Sequence, residues 1–352
     1  MLRTKIAGIG KYLPKNIVKN DDLLQYMETS DEWIQERTGI QERRYADKHK
    51  ETTATMGARA AEIAIERAGI TKEDIDFIIF ATLSPDYYFP GSGVLMQREM
   101  GITHKEAGCL DIRNQCSGFI YGLSIADQFI KNGVYKNILL VGSEMHSMGL
   151  DFTTRGRNVT VIFGDGAGAV VLQPTTEEDQ GVLTTHLHAD GTHAEELSMI
   201  SPGAHAGKHL GTEAFGFPDP SVPGEVFITQ KMLDDGLIFP NMNGQLVFKT
   251  AVVKFPEVIQ EALEKTGYKT TDIDMFIPHQ ANLRISAFVQ KKLGLSDEKV
   301  YNNIQKYGNT TAASIPIALC EAWEEGRIKR GDLVCLAAFG AGFTWGSALL
   351  KW

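Results

Sequence analysis

An α/β protein of two similar halves, each a largely parallel sheet covered by helices, is the fold this sequence predicts. Three observations carry the expectation. The stretch ERAGITKEDIDFIIFA, Glu66 to Ala81, returns as EKTGYKTTDIDMFIPH, Glu264 to His279; Glu66, Gly69, Asp74, Ile75 and Asp76 recur 198 positions later. A second pair opens with CSGFIYGLSIADQFIKNG at Cys116 and NTTAASIPIALCEAWEEG at Asn309. Gly133 there matches Gly326 at a spacing of 193, which also sets Cys116 on Asn309. Strands alternate with helices through both copies, the pattern of sheets layered with helices.

The elements follow in order. MLRTKIAGIGKYLP has its apolar run broken by Lys11 and Pro14, so it reads as a strand and a turn rather than a secretory leader. A helical run from Ala54 to Ile65 meets the glycine stop Gly69, then a short loop and an apolar strand. Ala107 to Ile112 is the next apolar run. Phe119, Ile120, Leu123, Ala126, Phe129 and Ile130, three and four apart, mark an amphipathic helix starting just after Cys116. A turn at Gly133 and the strand ILLVG complete that unit. In the second copy, Val247 to Leu263 is the helix before the repeated glycine, loop and strand. Pro316 belongs in a first helical turn, so the following helix begins near Ser314 and Asn309 lies in the loop before it. The halves are residues 1–175 and 176–352, the second with an inserted segment at about 190–245.

Composition excludes several classes. At 352 residues the chain affords a large core, and 43% hydrophobic with 22% charged residues is ordinary for a soluble protein. A net charge of −9 argues against nucleic acid as a partner, and no apolar run reaches membrane-spanning length. Cys109, Cys116, Cys320 and Cys335 are too sparse for a disulfide scaffold, which points to a reducing cytoplasm. Five of nine histidines fall between His186 and His209, with no cysteine nearby, in a segment rich in Gly, Ser and Pro; no metal is expected. GDGAG, Gly164 to Gly168, lacks Rossmann spacing and a P-loop lysine, so it reads as close backbone packing.

Chemistry concentrates at three positions. A cysteine at a helix start feels the positive end of the helix dipole, which favours the nucleophilic thiolate. A small cysteine that merely packs fits the same place. Likewise His279 after its strand fits a capped core residue, and Asn309 a plain turn. Pseudo-symmetric halves bring equivalent strand ends together, however, and those ends carry Cys116, His279 and Asn309.

These residues resemble the β-ketoacyl-acyl-carrier-protein synthase III family of the thiolase superfamily. The resemblance spans nearly the whole chain in six ordered motifs: TSDEWIQERTGIQER (Thr29 to Arg43), CSGF (Cys116 to Phe119), TRG before FGDGAGA (Arg155; Phe163 to Ala169), HQANLRI (His279 to Ile285), YGNTTAASIP (Tyr307 to Pro316) and FGAGFTWG (Phe339 to Gly346). It implies a thiolase-like five-layer αβαβα architecture and a homodimer. It implies acyl-CoA and a malonyl-loaded acyl carrier protein as substrates, with no cofactor. Cys116 matches the acylated nucleophile, and His279 with Asn309 the pair that handles the malonyl thioester. Trp33, Arg37, Arg155 and Arg284 match the entrance for the coenzyme A or carrier arm. Gln280, Ala281, Asn282, Leu283 and Arg284 match the segment associated with the carrier protein. Phe89 matches a residue the partner subunit adds to the acyl pocket. The family also sets the Ala341–Gly342 turn beside the nucleophile, where its N–H groups serve an oxyanion.

Some positions depart from that pattern. Arg113, Asn114 and Gln115 precede the cysteine where relatives carry small or apolar residues, and Ala341 stands where glycine is common. The inserted segment is roughly thirty residues longer than in relatives, a length typical of functional loops. It mixes Gly and Pro with Phe215, Phe217, Phe227, Met232 and Phe239, and is expected to cap the acyl tunnel or the dimer edge. Leu83 stands where hydroxymethylglutaryl-CoA synthases carry a glutamate base, which argues against their reaction. The competing reading is a related acyltransferase or condensing enzyme of a specialised, polyketide-like or long-chain pathway with the same Cys-His-Asn site. A non-catalytic partner subunit would lack the nucleophile.

Overall fold

Residues 77–81 alternate between two cores: Phe77, Ile79 and Ala81 enter one, Ile78 and Phe80 the other. A strand buried on both faces needs helices on both faces, and the rest of the chain supplies them. The computed structural model describes residues 2–102, 107–204, 228 and 230–352. Its strands are β1 (Arg3–Tyr12), β2 (Asn16–Lys19), β3 (Glu42–Tyr45), β4 (Phe77–Ala81), β5 (Gly108–Ile112), β6 (Ile138–Glu144), β7 (Gly166–Thr175), β8 (Gly181–Ala189), β9 (Leu197–Ser198), β10 (Asn241–Met242), β11 (Met275–Pro278), β12 (Leu333–Gly340) and β13 (Thr344–Lys351). The longer helices are α1 (Asp31–Thr38), α2 (Thr53–Arg67), α3 (Ser92–Glu99), α4 (Gly118–Lys131), α5 (Gly244–Thr266), α6 (Leu283–Leu293) and α7 (Ser314–Glu324).

β1, β4, β5, β6 and β7 form a five-stranded sheet in the order β1-β7-β6-β4-β5; β8, β11, β12 and β13 form a four-stranded sheet in the order β11-β12-β13-β8; β2 pairs with β3 and β9 with β10 outside both. The repeat seen in sequence is the equivalence of β4 with β11 and of β6 with β12. The expectation of largely parallel sheets is corrected. Among the described residues of these two sheets, only β4–β5, β4–β6 and β11–β12 run parallel; β1–β7, β6–β7, β12–β13 and β13–β8 are antiparallel. Helical crossovers make parallel neighbours, but β12 returns directly into β13 across the turn at residues 341–343, which forces the opposite sense.

Five layers result. Helices α2 and α3 cover one face of the first sheet, α4 and α7 lie between the sheets, and α5 and α6 cover the outer face of the second. The middle core joins Phe119, Ile120 and Leu123 of α4 and Ile315 and Leu319 of α7 to Ile79, Leu140, Leu336 and Ala338 from both sheets. Each leucine, isoleucine and phenylalanine among them stabilises the fold by roughly 1.5–3 kcal/mol when fully buried. Alanines make α2 lie unusually close to β1: a Cβ at Gly8 would sit 2.1 Å from the Ala64 carbonyl oxygen, and one at Gly10 2.3 Å from that of Ala60. GDGAG has the same use. A Cβ on Gly168 would meet Pro316 at 2.8 Å, so the glycine lets α7 rest on β7.

Within the inserted segment, β9 and β10 pair antiparallel and a short helix spans Gln230–Asp234. His205, His209, Phe215, Phe217 and Phe227 lie outside the described residues. His186 and His188 share the Glu261 carboxylate, at 3.0 and 2.6 Å. Among the described residues no group of three or more His, Cys, Asp or Glu side chains is placed to hold a metal ion. No helix among them is long and apolar enough to cross a membrane. All four cysteines are unpaired.

Candidate active site

Cys116 lies in a single 3-10 turn, Gln115–Ser117, that runs into α4. Gln115 enters this turn with φ of 44°, a left-handed conformation that costs a non-glycine residue on the order of 1–3 kcal/mol. Thr311 does the same with φ of 41° in the turn Thr311–Ala313 ahead of α7. The two turns are structural equivalents, which corrects the sequence alignment of Cys116 with Asn309. The counterpart of Cys116 is Ala312, and Asn309 lies three residues earlier. The slip has a simple cause: α4 has 14 residues and α7 has 11, so glycines aligned past the helix ends misalign their starts.

The FGAG turn presses on the nucleophile. A Cβ at Gly340 would lie 2.5 Å from Cys116 Cβ and 3.0 Å from its sulfur. Backbone N–H groups of Cys116 and Ala341 point at that sulfur, and both lower its pKa. They do not win. Burial first, and then the negative charge of Glu144, push the thiol up to about 12. The expected thiolate at a helix start is therefore corrected: desolvation outweighs the dipole, and the resting group is a thiol. Because the protonated form is the favoured one, alkylation of Cys116 by iodoacetamide is expected to keep accelerating well above the ordinary cysteine pKa of about 8.5. A rate that levels off near neutral pH would contradict this.

His279 follows β11, its N–H bonded to the Ala337 carbonyl at 2.8 Å. The Ser314 hydroxyl accepts from the Gln280 N–H at 3.3 Å and faces His279 Nδ1 at 2.7 Å. When that hydroxyl gives its proton to Nδ1, the ring hydrogen sits on Nε2. Nε2 is buried with no protein partner, and burial holds the imidazole neutral, its pKa lowered to about 3. Asn309 is fixed by its N–H on the Ile162 carbonyl at 2.9 Å and by Gly164 N–H on its own carbonyl at 3.1 Å. Its Oδ1 accepts the Thr311 N–H at 2.8 Å, which leaves the Nδ2 hydrogens for another acceptor. Two neutral N–H donors thus line one cavity with the thiol, in a space of about 1660 Å³.

Trp33, Arg37, Ala281, Asn282, Arg284, Ala341 and Gly342 line that cavity as well. Asn282 caps α6, accepting from Arg284 N–H at 2.9 Å, and its Nδ2 donates to the Arg37 carbonyl at 2.9 Å, which ties α1 to α6. Leu283 packs on Gly39, where a Cβ would approach it to 2.6 Å. Arg284 is exposed. Leu197, Met199 and Met242 bring the inserted segment to the cavity wall.

Two expected residues stand elsewhere, and a third faces away from its own cavity, as a partner-directed residue would. Arg155 does not line the cavity; its Nε bonds Asp151 at 2.7 Å and its Nη1 the Asp234 carbonyl at 3.0 Å. Arg157, two positions on, has its guanidinium 4.8 Å from the Trp33 ring centre, with Arg37 at 4.5 Å. Gln280 is 3% exposed and points inward. Its Nε2 donates to the Pro278 carbonyl at 2.7 Å and its Oε1 accepts from Asn303 N–H at 3.0 Å, so it has no polar atom for a carrier protein. Phe89 is 81% exposed and lies off its own chain's cavity, which Tyr87 and Tyr88 line instead. Arg157, Ser314 and Glu144 escaped the sequence reading. A second arginine in TRGR was the signal for Arg157, and a carboxylate ending the apolar strand ILLVGSE the signal for Glu144.

Known proteins share both halves of this arrangement. Residues 110–191 match the model for 3-oxoacyl-(acyl-carrier-protein (ACP)) synthase III, and residues 263–352 the model for its C-terminal part. A β-ketoacyl-(acyl-carrier-protein) synthase III of Yersinia pseudotuberculosis is 44% identical over 348 residues, 99% of this chain and 99% of that protein. The crystal structure of 3-oxoacyl-(acyl-carrier-protein) synthase III from Aquifex aeolicus superposes with a TM-score of 0.85 at 43% identity, covering 99% of this chain and 100% of the other. The priming β-ketosynthase of the R1128 polyketide pathway superposes at 0.83 with 29% identity, over 99% and 96%. Fold and site together define a thiolase-fold condensing enzyme of the acyltransferase class. Within that class, the chain belongs to the β-ketoacyl-acyl-carrier-protein synthase III family.

Proposed function

We propose that this protein joins an acyl group from acyl-CoA to malonyl-acyl-carrier protein, the condensation that initiates fatty-acid synthesis, through an acyl-Cys116 intermediate. In the first half-reaction the sulfur attacks the thioester carbonyl and coenzyme A leaves as its thiol, taking up the cysteine proton. The transient oxyanion meets the N–H groups of Cys116 and Ala341. In the second, malonyl thioester loses carbon dioxide, and the thioester oxygen gains the negative charge. His279 Nε2–H and Asn309 Nδ2–H donate to that oxygen. The carbanion attacks the acyl-Cys116 carbonyl, a carbon–carbon bond forms, and the carbon–sulfur bond breaks; the released Cys116 thiolate takes a proton from solvent.

The observation that carries this reading is the buried His279, neutral and with its Nε2 unpaired. A neutral donor stabilises enolate charge without drawing the malonyl carboxylate into a salt bridge that would hold it in place. No step calls for a cofactor. The reaction suits a cytoplasmic homodimer in which Phe89, exposed on its loop, reaches the partner's acyl pocket.

Trp33 and Arg37 on the cavity wall, with Arg157 stacked beside Trp33, suit an adenine and its phosphates, and Arg284 suits an acidic carrier. Intact-mass measurement after exposure to a panel of acyl-CoAs, then malonyl-carrier protein, tests the whole sequence. A donor-dependent adduct on Cys116 that fails to discharge into a β-ketoacyl product would refute the condensation. Arg284→Glu reverses a rim charge worth about 1 kcal/mol. It is expected to raise KM for the carrier substrate about fivefold with kcat little changed; an unaltered KM removes Arg284 from that role.

A further inference from the structure

Asn309 is held by bonds that trace back to a buried carboxylate. Glu144 ends β6 with no exposure to solvent. From the loop after β4, it accepts bonds from Thr82 Oγ1 at 3.1 Å, Leu83 N at 3.0 Å, Ser84 N at 3.0 Å and Ser84 Oγ at 2.7 Å. From the loop before α7 come Ala312 N at 3.4 Å and the hydroxyl of Thr311, in a short bond. Thr311 gives its one hydroxyl proton to Glu144, so its oxygen remains an acceptor. His146 Nε2, 3.1 Å away, is then the donor to it. The chain His146–Thr311–Glu144 therefore has a single direction, ending on the carboxylate. Thr311 also supplies the N–H that fixes Asn309 Oδ1. Beneath the same loop lies Gly142, where a Cβ would come within 2.3 Å of the Ala312 carbonyl oxygen.

We propose that Glu144 is a positioning residue for the condensation half-reaction: by clamping Thr311 it holds the Asn309 amide with Nδ2 turned to the reacting thioester. The inference rests on the reading of Asn309 as an enolate donor. Only an acceptor fits where six donors converge, and an ionised carboxylate accepts without donating. A neutral amide in its place turns an NH2 group against other N–H groups. The same charge opposes ionisation of Cys116, so Glu144 serves the second half-reaction and not the first.

Separate half-reactions on the full-length protein test this. Acylation of Cys116 by an acyl-CoA is followed by intact mass, and carbon dioxide release from malonyl-carrier protein is measured independently. Asn309→Ala gives the reference loss. Glu144→Gln is expected to lower carbon dioxide release about 10²-fold, the effect of a misplacement near 1 Å, with acylation unchanged or faster. Thr311→Val removes the hydroxyl but keeps the carboxylate and is expected to split the half-reactions the same way; Thr311→Ser restores release. If Glu144→Gln does not fold, the two Thr311 variants carry the test. Parallel loss of both half-reactions leaves Glu144 with a general structural role and overturns the inference, as does unchanged release in Thr311→Val or no recovery in Thr311→Ser. Full release in Asn309→Ala overturns the underlying reading of Asn309, and this inference with it. Loss in Asn309→Ala but not in the clamp variants overturns the clamp alone.

Discussion

Cys116→Ala is expected to show no mass adduct after exposure to acyl-CoA, and its turnover to fall about 10⁶-fold, the size of a lost nucleophile in other covalent catalysts. No other thiol can replace it. Cys335 is fully buried in the second sheet, and burial raises its pKa strongly. Cys320 is held up to about 11 and Cys109 to about 12, both chiefly by burial. None of these three lines the cavity that holds His279 and Asn309. The fold stays intact, because alanine keeps the Cβ that packs against Gly340 and gives up only the sulfur. An adduct on the variant would place the acyl group on another residue and refute the assignment.

His279→Ala separates the two half-reactions. Carbon dioxide release is expected to fall about 10²–10³-fold, the usual effect of removing one donor to a developing oxyanion, while acylation falls far less. The pH profile of the wild-type protein supplies a second reading. Burial holds His279 neutral down to about pH 3, so its imidazole remains the same donor across the range where an ordinary histidine titrates, near 6.5. No inflection from this group is expected there. A variant that loses acylation yet decarboxylates at the full rate would reverse the roles of the two halves of the site.

Much of this was legible in the sequence because repetition and period are local signals. The repeat at Glu66 and Glu264 fixed the equivalent helix–loop–strand units, and the proline at 316 placed the start of α7 at Ser314. Strand direction was not legible. Nothing in the pattern of β12 distinguishes a crossover from the direct return into β13, since both need an apolar strand. The alignment of Cys116 with Asn309 slipped by three because matched glycines report helix ends and not helix starts. The ionisation of Cys116 is hidden from sequence for a related reason. A helix start is visible in sequence, but the burial of Cys116 and the approach of Glu144 are products of packing across both halves. Arg155 and Arg157 differ only in which way a short turn aims them, and the amide of Gln280 is taken up by Asn303 and Pro278, contacts that only packing creates.

The twin turns at Gln115 and Thr311 also bear on how the protein is made. Synthesis proceeds from the N-terminus, and early segments fold first. Cys116 leaves the ribosome 163 residues before His279 and 193 before Asn309. Its backbone partner at Ala341 comes later still. A nascent chain thus carries the thiol well before the groups that give it a second half-reaction emerge, and the finished centre appears only once the segment with Ala341 has docked.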